Sequence, residues 1–157
     1  MLRDLAESVW RHAPRVLRLW SVRLTNTRFT VTAAGIIFDA SGRVLLLKHR
    51  FRAGSGWGIP GGFIKANEQP EQGLRRELRE EIGLELQALE LCRVRTFTSA
   101  RQIEIVFNGQ AEGLVSPRSE EIEEAGWFDV DSLPAGLPAD QRRLIKDVFH
   151  RGANPES

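Results

Sequence analysis

An α/β fold, arranged as a three-layer α/β/α sandwich around a mixed sheet and preceded by an amphipathic helix, is the class this sequence predicts. Two observations carry the prediction. Apolar residues recur every three or four positions over residues 2–20, 74–82 and 139–151, but form β-branched and apolar runs over 29–38, 86–98 and 102–112. Helical segments therefore fall before, within and after the strands, which supplies cover for both faces of a sheet. With 157 residues and 41% hydrophobic content the chain is long enough for one well-filled core.

Residues 2–20 place Leu2, Leu5, Ala6, Val9, Trp10, Ala13, Val16, Leu17 and Trp20 on one helical stripe, with Arg3, Arg11, Arg15 and Arg18 on the other face. Pro14 calls for a kink. Residues 1–24 thus form a helical extension, expected to pack on the domain or on a second copy in a homodimer; Asp4 and Glu7 dilute the basic face and argue against a membrane-surface role. Residues 25–151 form the main domain. Residues 29–38 read as a strand, 39–42 as a turn and 43–50 as its antiparallel partner. A Gly-rich loop over 51–60 follows, then a helix with Asn67 as cap, Pro70 in its first turn and Gly83 at its end. Strands over 86–98 and 102–112, a last strand over 124–129, a helix over 139–151 and a mobile tail over 152–157 complete the order. Phe51, Phe97 and Phe107 are expected in the core, and Trp57 and Trp127 against the loop and the last strand.

Cys92 is the single cysteine, so no intrachain disulfide can form, which fits a cytoplasmic protein; its expected place is as a small hydrophobe on a strand. No apolar run is long enough to insert stably in a membrane. Charge is unevenly spread: residues 1–60 hold ten Lys/Arg against three Asp/Glu, residues 61–157 twelve against eighteen.

The acidic half contains the decisive stretch, residues 62–84, GFIKANEQPEQGLRRELREEIGL. On a helix Glu77, Glu80 and Glu81 fall at i, i+3 and i+4, so their carboxylates share a face, and Leu74, Leu78 and Ile82 form a separate apolar stripe. Three crowded anions repel unless a cation joins them, and hard oxygen ligands suit Mg²⁺ or Mn²⁺. Pro60-Gly61-Gly62 lets backbone approach a ligand, and Arg76 stands where it can orient Glu68 or Glu81.

Gly62, five residues, Glu68, seven residues, Arg76-Glu77-Leu78, one residue, Glu80-Glu81, one residue, Gly83-Leu84 resembles the complete box of the Nudix hydrolases, the MutT-like family. The resemblance implies the Nudix fold and metal-dependent hydrolysis of a phosphoanhydride bond in a nucleoside diphosphate linked to a further group. It makes Glu77 and Glu81 direct ligands of Mg²⁺ or Mn²⁺. Glu80 completes the shell or holds a second ion, the Gly62 carbonyl contributes, and Glu68 and Arg76 orient the others. A catalytic base is expected either from the box helix, at Glu80, or from a later loop over residues 119–124, with Glu121 first and Glu120 second. Lys48, Arg50 and Arg52, on a strand end and loop before the box, are candidate phosphate contacts. His12, His49 and His150 lack ligand spacing and are read as structural.

Marks of specialised relatives are missing: residues 99–101 are Ser-Ala-Arg where ADP-ribose enzymes often show a proline, the chain has no tyrosine, and Cys92 follows the box where isomerase relatives carry a cysteine before it. A nucleotide sugar, a CDP-alcohol or a nucleoside triphosphate remains as substrate. A 5′-end RNA pyrophosphohydrolase, favoured by the basic N-terminal half, and a catalytically silent nucleotide-sensing domain are the alternatives.

Overall fold

Residue parity along two strands decides where the core lies. In β1 (Thr30–Phe38) Ala33 and Ile37 face one side and Ala34 and Ile36 the other, and in β2 (Val44–His49) Leu45 and Leu47 oppose Val44 and Leu46; all eight are almost completely buried. Strand side chains alternate, so both faces of this sheet must be covered. The computed structural model describes residues 14–17 and 26–153.

The remaining elements are β3 (Trp57–Gly58), β4 (Gly61–Phe63), α1 (Pro70–Ile82), β5 (Leu89–Phe97), β6 (Gln102–Gln110), β7 (Ile122–Phe128) and α2 (Ala139–Ala153). Strand order is β3-β2-β1-β6-β5, with β4 added to β1 and β7 to β2. β1 and β6 run parallel from Thr30↔Gln102 to Phe38↔Gln110 and the other pairs are antiparallel, so the sheet is mixed. Leu74, Leu78 and Ile82 of α1 close one face; Leu144, Ile145 and Val148 of α2 close the other. The three-layer α/β/α sandwich expected from the sequence is the architecture found.

Several local expectations are corrected. The hairpin between β1 and β2 pairs only at Phe38↔Val44, because β4 takes β1 at Thr32, Ala33 and Ala34 and β2 pairs along its length with β7. β3 and β4 arise within and just after the loop read over 51–60, being too short to show a period. Asn67 does not cap α1: it sits in a left-handed turn (φ 66°) and the helix starts at Pro70, with Gln69 as N-cap donating its N–H to Gln72 Oε1 at 3.0 Å. At the other end Gly83 takes φ 71°, which a residue with a Cβ adopts only with strain. Strand β5 starts later than expected because residues 84–88 form a loop whose Leu84 and Leu86 enter the core. Phe51 is 79% exposed rather than packed, and Gly152 and Ala153 belong to α2 rather than to a tail. Of the expected extension over residues 1–24, only residues 14–17 lie within the description, with 15–17 helical; the tail over 154–157 lies outside it. Among the described residues no helix is long and apolar enough to cross a membrane.

Candidate active site

Helix α1 turns its acidic face toward the β4 turn, and Arg76 is the hub of that face. Its Nε donates to Glu68 Oε1 at 2.8 Å and its Nη2 to Glu68 Oε2 at 3.0 Å, a two-point grip that a planar guanidinium favours. Nη1 reaches Glu77 at 2.7 Å and Glu80 at 3.2 Å, and Nη2 also donates to the Phe63 carbonyl at 3.1 Å. Glu68 in turn accepts from the Lys65 N–H at 3.0 Å. These bonds, Arg76 foremost, hold the Glu68 carboxyl down to about 2, and Glu68 foremost raises the Arg76 guanidinium above its usual value. The arginine thus orients Glu68, as one of the two sequence alternatives had it, and does not contact Glu81.

Glu77 packs against Gly62: a methyl group there would run into the carboxylate. Glycine is required at this point so that helix and turn can approach. Glu81 differs from its neighbours. It is 6% exposed and one carboxylate oxygen has no hydrogen-bond partner. Burial first, then the charges of Glu77 and Glu121, push its carboxyl up to about 7, with Arg52 opposing. Glu121, in the turn before β7, is one of the charges that push up the Glu81 carboxyl; like Glu120 it is solvent-exposed. Among the described residues no three His, Cys, Asp or Glu side chains gather into a metal-binding group; Glu77 and Glu80 are turned to the cation at hand, Arg76.

Of the three basic residues expected to meet phosphate, the fold separates one from two. Lys48 Nζ lies 3.3 Å and Arg50 Nε 4.0 Å from Glu123, so both are paired where β2 meets β7. Arg52 instead reaches over Gly58 into a cleft of about 200 Å³ bounded by Ile59, Gly61, Gly62, Gln102, Glu104 and Gln141. Burial lowers its pKa, while the charges of Glu104 and Glu81 counteract this. Glu104 is fixed by Arg95 at 2.5 Å, and Arg95 also holds Asp140 at 2.8 Å and lies 4.9 Å from the Phe97 ring centre. Sequence reading passed over Gln102, Glu104 and Gln141. The alternation Gln102-Ile103-Glu104-Ile105 carried the signal, since two polar residues on one face of a strand in a two-sided core need something polar to meet.

A profile of the NUDIX domain matches residues 28–148. The chain belongs to the NUDIX family. The box, the Gly62 contact and the Arg76–Glu68 pair described above all lie within the matched NUDIX region. An NAD-capped RNA hydrolase of Pseudomonas aeruginosa is 37% identical over 89 residues, 56% of this chain and 31% of that protein. An ADP-ribose pyrophosphatase of Methanocaldococcus jannaschii is 31% identical over 124 residues, covering 76% and 72% of the two chains. The crystal structure of a MutT NUDIX hydrolase from Burkholderia pseudomallei, 28% identical, superposes with a TM-score of 0.68 over 78% of this chain and 99% of that one. The chain spans about a third of the length of the NAD-capped RNA hydrolase that it matches. NUDIX hydrolases as a family use divalent cations.

Proposed function

We propose that this NUDIX protein hydrolyses a phosphoanhydride bond in a nucleoside diphosphate linked to a further group, using Mg²⁺ or Mn²⁺. The observation that carries the reading is Glu81: a buried carboxylate with an unpartnered oxygen, set among Glu77, Glu80 and Glu121, is an arrangement that a divalent cation would neutralise. Glu77 and Glu81 would hold the ion, with Glu80 and the Gly62 carbonyl as further oxygen donors, a set of hard ligands of the right chemistry. When bound, the ion would offset the charge that develops on the phosphate oxygens.

The chain's own residues supply the rest. Arg76 keeps Glu68, Glu77 and Glu80 in place, so that little side-chain freedom is lost when substrate binds. Arg52 sits where it can take a phosphate oxygen of a substrate lying in the cleft beside Gly62. Glu121 takes the proton of the attacking water as the water oxygen bonds to phosphorus and the bridging P–O bond breaks to the leaving phosphate.

Similarity to NAD-capped RNA hydrolases supports a second reading, in which the nucleotide is the 5′ end of an RNA. A panel of ADP-ribose, NAD, nucleotide sugars, CDP-alcohols, nucleoside triphosphates and capped RNA, assayed with Mg²⁺ or Mn²⁺ and then with EDTA, tests both. Cleavage of a diphosphate that EDTA abolishes is the expected result. No phosphoanhydride cleavage in any member, or cleavage indifferent to EDTA, would overturn the proposal.

A further inference from the structure

Helix α1 covers only part of its side of the sheet. It packs on β1 and β4, and Leu84 and Leu86 fill in beside it. On the same side, Val94 of β5 pairs with Ile105 of β6 and Leu91 with Phe107, so these side chains share the face on which Ile105 and Phe107 meet the α1 core. Yet Val94 is 55% exposed and Leu91 64%. Apolar side chains that are open on the edge strand β5 and continuous through their β6 partners with a core mark a surface shaped to be covered. The strip runs on to the start of β1, where Phe29, 36% exposed, lines with Val31 and Ile64 a groove of about 510 Å³ next to the N-terminus of α1.

The chain enters the domain at this place, since residue 26 leads through Phe29 into β1. The residues before it are those whose sequence carries the apolar stripe of Leu2, Leu5, Val9 and their partners, and in the described piece Val16 and Leu17 are 62% and 61% exposed. The surface and the described piece of the segment thus each present uncovered apolar area. Their dimensions agree: nine residues of β5 extend about 30 Å, residues 2–13 as a helix would extend about 18 Å, and residues 18–25 span up to about 26 Å. A tether this short gives the segment a local concentration in the millimolar range, which favours its own domain over a second copy.

We infer that the N-terminal segment lies across β5 and β6 of its own domain as a second helix beside α1. Its apolar stripe covers Val94, Leu91 and Ile105, and Arg3, Arg11, Arg15 and Arg18 face solvent. The inference is independent of the reaction proposed above.

The test uses the full chain carrying Cys92→Ser, so that no native thiol remains. Val94→Cys is combined with Val9→Cys on the stripe or, as control, with Arg11→Cys on the opposite face, and a short bismaleimide is added. Expected is an internal cross-link at monomer mass for the Val9 pair and at least tenfold less for Arg11. Absence of the link, equal linking of both faces, or linking only into covalent dimers overturns the inference, the last by assigning the surface to another copy. A thermal-unfolding cycle is the second measurement, with Val9→Asp and Val94→Asp alone and together; both sit outside the described core. Docking makes their shifts in Tm non-additive, and additive shifts overturn it.

Discussion

Arg76 grips Glu68 at two points, 2.8 and 3.0 Å, and reaches Glu77 with its third nitrogen at 2.7 Å. A lysine keeps the charge but has a single nitrogen and no planar fork. Arg76→Lys should therefore lower kcat and apparent Mg²⁺ affinity by about 10- to 100-fold while circular dichroism stays unchanged. Kinetics with a Mg²⁺ titration check this, and rates within twofold of wild type would show that the fork does not position the site.

Glu81→Gln separates chemistry from folding. The amide cannot replace a carboxylate toward a divalent cation, so turnover should fall by about 100-fold or more. Removing a buried carboxylate that Glu77 and Glu121 already disfavour should leave Tm in EDTA unchanged or higher. Melting curves in EDTA together with initial rates measure both effects.

The two candidate bases are told apart by their neighbours. The charge of Glu121 is one of those that raise the Glu81 carboxyl. Glu121→Gln should cut kcat by roughly 100-fold or more, whereas Glu120→Gln should stay within about threefold. Equal losses would remove Glu121 from its role.

Arg52 is directed into the cleft while Lys48 and Arg50 are paired with Glu123. Arg52→Ala should reduce kcat/KM by about 10- to 100-fold, in line with loss of a charged hydrogen bond of roughly 1.5–3 kcal/mol. Lys48→Ala and Arg50→Ala should each cost less than about 1 kcal/mol of stability and little activity. Steady-state kinetics of the three variants decide.

His49 gives a pH dependence of stability. Its Nε2 is buried without a partner, and burial, then the nearby Arg52 charge, drop its pKa from 6.5 to about 4. A depressed pKa means that the unfolded chain takes up the proton first. The native state keeps its full advantage above pH 6.5 and loses it as pH falls through about 4. The ceiling is about 3 kcal/mol, reduced because solvent reaches part of the ring. Urea midpoints of wild type should therefore fall between pH 6.5 and 4.5 by more than those of His49→Leu; parallel curves would reject the role.

Much of this site could be read in advance because it is local. Residues 62–84 carry their spacing within one helix and one turn, so Arg76, Glu77, Glu80 and Glu81 follow from 3.6 residues per turn and Glu68 from the turn that leads into the helix. The strands with long β-branched runs were likewise legible. What escaped depended on partners distant in sequence. Gln102, Glu104 and Gln141 border the cleft only because β6 lies parallel to β1 and α2 crosses the sheet, and β4 exists only because β1 offers it an edge.

Taken alone, then, the sequence determined the fold class, the helix that carries the box and the family it belongs to, since periodicity and motif spacing are short-range properties of the chain. The tertiary structure decided that Lys48 and Arg50 pair with Glu123 while Arg52 enters the cleft beside Gly62, and that Glu81 is buried while Glu80 is not. Those choices are made by strand register and burial, which set the distance and the dielectric between charges, and no pattern along one segment contains either.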